Sequence, residues 1–244
     1  MELFRNPRSA ERAQAGAALL LLLALLGVGA ATLLVSALGQ GGQDTRHVQT
    51  TLARMTEASD ALLGFAAAHG RLPRPAISAT DGRESPLPCA SAESCTGFLP
   101  WVTLGVEGGD AWGKLFKYSV TPVYTQRPVL RLAAVADKRV LTRRPDGGLV
   151  YLAGQDECSV ARPCAPVVLL SHGRNHFGTS VQGRPQASAG AGPDEQGNAT
   201  ESGRFISRVA SADAGAAGGA FDDIVRVISL QALYQQMGRA AALP

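Results

Sequence analysis

An excess of one charge sign is what this chain most plainly lacks. Lys and Arg number 23 against 20 Asp and Glu in 244 residues, a formal net charge of +3. No Lys/Arg cluster with interleaved aromatics occurs, so the basic footprint that nucleic acid requires is missing. An acidic substrate is not indicated either. Aromatic residues reach only 5% while glycine numbers 28, which points to a loop-rich domain with a modest core. Signatures of catalysis are lacking too: there is no G-x-S-x-G elbow, no phosphate loop and no H-E-x-x-H helix. No enzyme is expected. Cysteine is sparse, at four, in two pairs that each span five residues, Cys89 with Cys95 and Cys158 with Cys164. That spacing is unlike the two-residue gap of zinc ribbons. Four cysteines permit three connectivities. The short spans favour the two local disulfides in an oxidising compartment, with free buried thiols as the alternative.

What is present begins with an uncharged run. Between Gly16 and Leu38 the only hydroxyls are Thr32 and Ser36. As a helix, residues 17–38 would measure about 33 Å, close to the hydrocarbon thickness of roughly 30 Å. Arg5, Arg8 and Arg12 precede the run against Glu2 and Glu11, which orients the N-terminus to the cytoplasm. A secretory signal cut after Ala37 is the lesser alternative, since its apolar region is usually about 7–15 residues. Gly27, Gly29, Ala30 and Ala31 form a small-residue surface that would let another helix approach closely.

Residues 44–70 place Val48, Leu52, Met55, Leu62 and Phe65 or Ala66 at three- and four-residue steps, an amphipathic helix stopped at Gly70 with Pro73 beyond. Its apolar stripe needs a cover. Residues 71–100 read as an ordered loop. Strands are predicted within 98–120, over 128–136 and 147–153, and over 166–173 as a buried one. Residues 174–204 read as a mobile loop, and 221–237 as a strand running into a helix. The expected class is α+β: a long N-terminal helix, half transmembrane and half amphipathic, packed on a small antiparallel sheet. The expected division is a leader (1–16), a transmembrane helix (17–38), an amphipathic continuation (39–70) and a periplasmic domain (71–244).

These features together resemble the type IV pilin and type II secretion pseudopilin superfamily. The resemblance rests on the positive leader ending at Gly16, the apolar helix from Ala17 and its amphipathic continuation. It rests also on the turn Asp110-Ala111-Trp112-Gly113 followed by Lys117-Tyr118, on Ser171-His172-Gly173, and on Phe221-Asp222-Asp223-Ile224. It implies cleavage between Gly16 and Ala17 by a prepilin peptidase, N-methylation and helix packing with other pilin or pseudopilin subunits. It further implies an inner-membrane assembly platform and contact with membrane lipid. One departure matters. Family members carry Glu at the fifth mature position, where this chain has Leu21; that Glu is thought to pair with a neighbour's N-terminal amine inside an apolar environment. The departure implies a minor rather than a major subunit of a type IV pilus or type II secretion pseudopilus. The runner-up is an uncleaved bitopic envelope protein with a periplasmic binding domain.

Possible chemistry concentrates late in the chain. Asp194, Glu195, Asp222 and Asp223, with Asn198 nearby, have the oxygen-rich character that Ca²⁺ prefers, against a solvated loop and a strand-entry cap as the plainer reading. The resemblance implies a calcium site in the comparable loop of major pseudopilins, from which this loop departs in length and sequence. No other cofactor is expected. His172 and His176 flank Gly173 in a loop and read poorly as a metal pair. Ser171 beside His172 lacks triad geometry. Trp112 is expected to pack over the helix stripe, and Trp101 to be structural.

Overall fold

A computed structural model describes Leu26, residues 43–200 and residues 202–243. The expected leader and transmembrane helix, with Gly16, Ala17 and Leu21, lie outside the described residues, Leu26 apart. All contacts below lie within the unit His47–Pro244.

Helix α1 spans 43–69, a stretch without proline and rich in alanine and leucine. It stops where Gly70 takes φ 67° and donates its N–H to the Ala66 carbonyl at 2.9 Å. The buried ridge is Thr51, Met55, Ala58, Ser59, Leu62 and Ala66, at helical spacing. Val48 and Leu52, expected on that stripe, are instead 37% and 42% exposed. The ridge turns toward Thr51 because Thr51 and Arg54 are bound to the 109–111 turn.

Seven strands follow: β1 (Thr96–Phe98), β2 (Lys117–Val120), β3 (Arg139–Arg143), β4 (Leu149–Ala153), β5 (Val167–Ser171), β6 (Arg204–Ile206) and β7 (Ile224–Ile228). The helices are α2 (Trp101–Leu104), α3 (Pro193–Thr200) and α4 (Leu230–Arg239). One sheet, ordered β1-β2-β5-β7, is antiparallel throughout. The other, β4-β3-β6, pairs β3 antiparallel to β4 and parallel to β6.

Side-chain alternation sorts the layers. Tyr118, Val120, Val167, Leu169 and Ile228 point from the first sheet into a core with Met55 and Leu62 of α1 and Leu233 and Met237 of α4. On the opposite face Val168, Leu170, Val225 and Val227 meet Val140 and Phe205 of the second sheet. Strand β5 is therefore covered on both sides, which is why VVLLS is buried at all five positions. The order is helices, sheet, sheet. Cys89 is bonded to Cys95 and Cys158 to Cys164; closing loops this short is worth about 2 kcal/mol each.

The class stays α+β, but the expected architecture is corrected on several points. There are two sheets, the second of them mixed, because β6 returns beside β3 after α3. Among the described residues no helix is long and apolar enough to cross a membrane. Helix α1 cannot do so because Asp44, Arg46, Arg54, Glu57 and Asp60 interrupt it, and a charge at a bilayer centre costs about 2.5–3.5 kcal/mol. Residues 128–136 form no strand: Val129, Ala134 and Ala136 are buried while Leu130 and Leu132 point outward. The segment expected to be mobile, 174–204, contains α3, whose Asp194, Glu195 and Asn198 are buried.

Shortening a ridge residue should cost far more than shortening an exposed one. Leu62→Ala is expected to lose about 2–5 kcal/mol of unfolding free energy, and Leu52→Ala less than about 0.5 kcal/mol. Urea denaturation of both variants measures the contrast, and equal losses would refute the placement of the ridge.

Candidate functional site

Four segments converge at one end of β5: the 109–114 turn, the 171–178 turn, α3, and the entry to β7. Asp110, only 2% exposed, organises the first. Its Oδ1 accepts the N–H groups of Trp112 and Lys114, both at 2.9 Å, and its Oδ2 accepts the Ser171 hydroxyl at 2.6 Å. Burial raises the Asp110 carboxyl above its ordinary range, against the hydrogen bonds from Ser171 and the two amides. The Ser171 hydroxyl therefore donates to Asp110. Gly113 takes φ 78°, which suits the tight return into Lys114. Trp112 meets α1 edge-on through His47, ring centroids 5.6 Å apart. The ring of Trp101 is flanked by Gly82 and Gly108.

The second turn carries the carbonyls of His172, Asn175 and His176, all of which accept from Nζ of buried Lys114, at 3.3, 2.9 and 3.2 Å. Burial depresses this ammonium's pKa, opposed by the charges of Asp222, Asp110, Asp223 and Glu195. Gly173 sits at φ 57° against Asp222, where a Cβ would collide with the Asp222 carbonyl.

Three of the four acidic residues singled out from sequence meet here. Glu195, Asp222 and Asp223 offer oxygens all within 4.8 Å of one another. Each spends one oxygen on structure. Glu195 Oε1 accepts the Asp222 N–H at 2.9 Å. Asp222 Oδ2 accepts the N–H groups of Arg174 and Asn175 at 3.0 and 2.9 Å, and Asp223 Oδ2 accepts the Asn198 amide at 2.8 Å. The remaining oxygens, Glu195 Oε2, Asp222 Oδ1 and Asp223 Oδ1, are buried without a hydrogen-bond partner. So is His172 Nδ1, 3.5 Å from Asp223 Oδ1. Glu195 is pushed up to about 7, first by burial and then by the charges of Asp223 and Asp222, against the Asp222 amide. Burial foremost also raises Asp222.

Asp194 does not join them. Its carboxylate is taken by Arg143, at 2.7 and 2.8 Å, and by Arg208 at 2.9 Å, which fastens α3 to the second sheet. Lys114 was not foreseen as part of the site. Its position directly after the Asp110–Gly113 turn, in a chain with only three lysines, was the available signal.

The fit to a calcium ion rests on those unpartnered oxygens. Buried carboxylate oxygens without donors are costly, and a hard divalent cation is the partner their chemistry takes. Glu195, Asp222 and Asp223 would hold it. Such an ion supplies charge neutralisation and nothing redox-active. Beside the cage, Phe98, Leu115, Lys117, His172, Phe177 and Gln186 line a cleft of about 500 Å³, with Phe177 held at φ 57°. Compared with protein-family models, curated proteins and solved structures, the chain matches none.

Glu195 takes its proton near 7 when folded, against 4.5 as the ordinary value. Between those values the folded state binds more protons, so the stabilisation that Glu195 contributes is full below about pH 4.5 and is lost as pH rises through about 7. In metal-free buffer Tm should drop between about pH 5.5 and pH 8, and Glu195→Gln should flatten that drop. Identical pH profiles for the two chains would contradict the assignment.

Proposed function

We propose that this chain is a non-catalytic, minor pilin-like subunit of the bacterial envelope, a structural component of a type IV pilus or type II secretion pseudopilus. The observation that carries the reading is the division of labour along α1. From Thr51 to Ala66 its ridge is buried by the domain, yet Val48 and Leu52 are left exposed on successive turns near its start. An apolar pair at i and i+4 that the domain does not use is what a neighbouring helix would cover. Both disulfides support an oxidising compartment such as the periplasm, and the uncharged sequence 17–38 supports retention at the inner membrane. In this reading a prepilin peptidase cuts between Gly16 and Ala17, and an inner-membrane platform and other subunits are the partners. Leu21, in place of a carboxylate, supports a minor position in the assembly.

The cleft walled by Phe98 and Phe177 favours one alternative, an uncleaved envelope protein whose outer domain binds a ligand.

The two readings part at the N-terminus. Intact mass of the chain from its native membrane should begin at Ala17; a mass beginning at Met1 would overturn the subunit reading. Val48→Cys and Leu52→Cys should each form crosslinks to another subunit in assembled material, whereas Glu57→Cys, exposed on the opposite side of α1, should form none.

A further inference from the structure

The chain has only three lysines, Lys114, Lys117 and Lys138, and each turns its ammonium to backbone carbonyls. Lys114 is the extreme case. The residue is 1% exposed, and Nζ is held by three carbonyl oxygens of a single turn, the kind of oxygen set that receives a metal ion. The amides of that turn face the other way, onto Asp222 Oδ2. One short segment therefore presents carbonyls to a cation and N–H groups to an anion.

Across the cage, Asp110, Glu195, Asp222 and Asp223 all act electrostatically on Lys114. One ammonium faces four carboxyl groups, which it cannot neutralise when all are ionised. Glu195 and Asp222 share a side-chain hydrogen bond when one of them holds a proton, and no N–H or hydroxyl reaches the second oxygen of Glu195, Asp222 or Asp223. His172, 5% exposed, adds an unpartnered Nδ1 at 3.5 Å from Asp223. The carbonyl half of the cage is filled, and on the carboxylate half one oxygen of each residue is left without an N–H or hydroxyl donor.

We propose that the cage is a two-cation site, in which the Lys114 ammonium is the resident cation on the carbonyls and, by repulsion, sets how weakly Glu195, Asp222 and Asp223 bind a divalent ion. The inference rests on the cage's fit to such an ion and is independent of the assembly proposed above. Like charges in a partly buried site repel strongly, so the affinity should fall among extracellular modules, with Kd of about 10⁻⁴–10⁻³ M. A divalent ion would join α3 to the entry of β7 only where that ion is abundant.

The test uses the full-length chain, stripped of metal and titrated with CaCl₂ by calorimetry. Lys114→Met should bind Ca²⁺ about tenfold more tightly than wild type, because the repelling charge is gone. Lys114→Arg, which keeps the charge, should stay within about threefold, and Glu195→Gln should weaken binding about tenfold or more. Should Lys114→Met fail to fold, wild type labelled with ¹⁵N-lysine decides: the Lys114 Nζ resonance should move on Ca²⁺ addition while that of Lys138 stays. Unchanged or weaker affinity in folded Lys114→Met, an unmoved Lys114 resonance at saturating Ca²⁺, or no binding to wild type at about 10 mM Ca²⁺ would each overturn the proposal.

Discussion

A carboxylate buried to 2% exposure must find donors within the protein, and Asp110 finds three. Two are the amides of its own turn and the third is the hydroxyl of Ser171 at the end of the central strand. The backbone of the same turn is gripped from α1, where Arg54 donates to the carbonyls of Gly109 and Asp110 and Thr51 accepts the Ala111 N–H. One short loop thus ties the helical layer to the middle of the sheet. It also aims Lys114 at the 172–176 carbonyls. Without the Asp110 contacts the turn would lose its shape, Lys114 its direction, and the acidic cage its internal counter-charge.

The parts of this arrangement legible in the sequence are those governed by local periodicity. The 3.6-residue repeat of α1, its stop at Gly70, the apolar run of β5 and the strand-to-helix change after Ile224 all follow from near neighbours. Strands β1, β3 and β6 were not foreseen: β1 and β6 are three residues each, and the parallel pairing of β6 with β3 joins segments some sixty residues apart. Helix α3 is subtler still. PDEQGNAT has no apolar stripe, and its buried residues are polar: Asp194 for Arg143 and Arg208, Asn198 for Ile206 and Asp223. Such a helix is held by specific hydrogen bonds, which no hydropathy pattern encodes. The site was legible as a composition of acids near 194 and 222. Which acids meet was decided by two arginines in distant segments that withdraw Asp194.

The second sheet gains a role from the same bonds. Phe205 and Val140 seal it to the first sheet, while Asn198, through Ile206 and Asp223, joins β6 to the strand that begins at Ile224. The acidic cage therefore lies where two sheets and α3 are stitched together. Its charge state bears on how firmly α3 closes over that seam, and this gives a loop-rich domain with few aromatics a polar substitute for a larger apolar core.

The commitment of every lysine ammonium to internal carbonyls has a practical corollary. The cationic surface of the folded domain is a guanidinium surface. Amine-directed acylating reagents, and proteases that cleave after lysine, find Lys114 and Lys138 buried and only Lys117 at the wall of the cleft. Modification at Lys114 or Lys138, both buried, would therefore date the moment the domain opens rather than map its exterior.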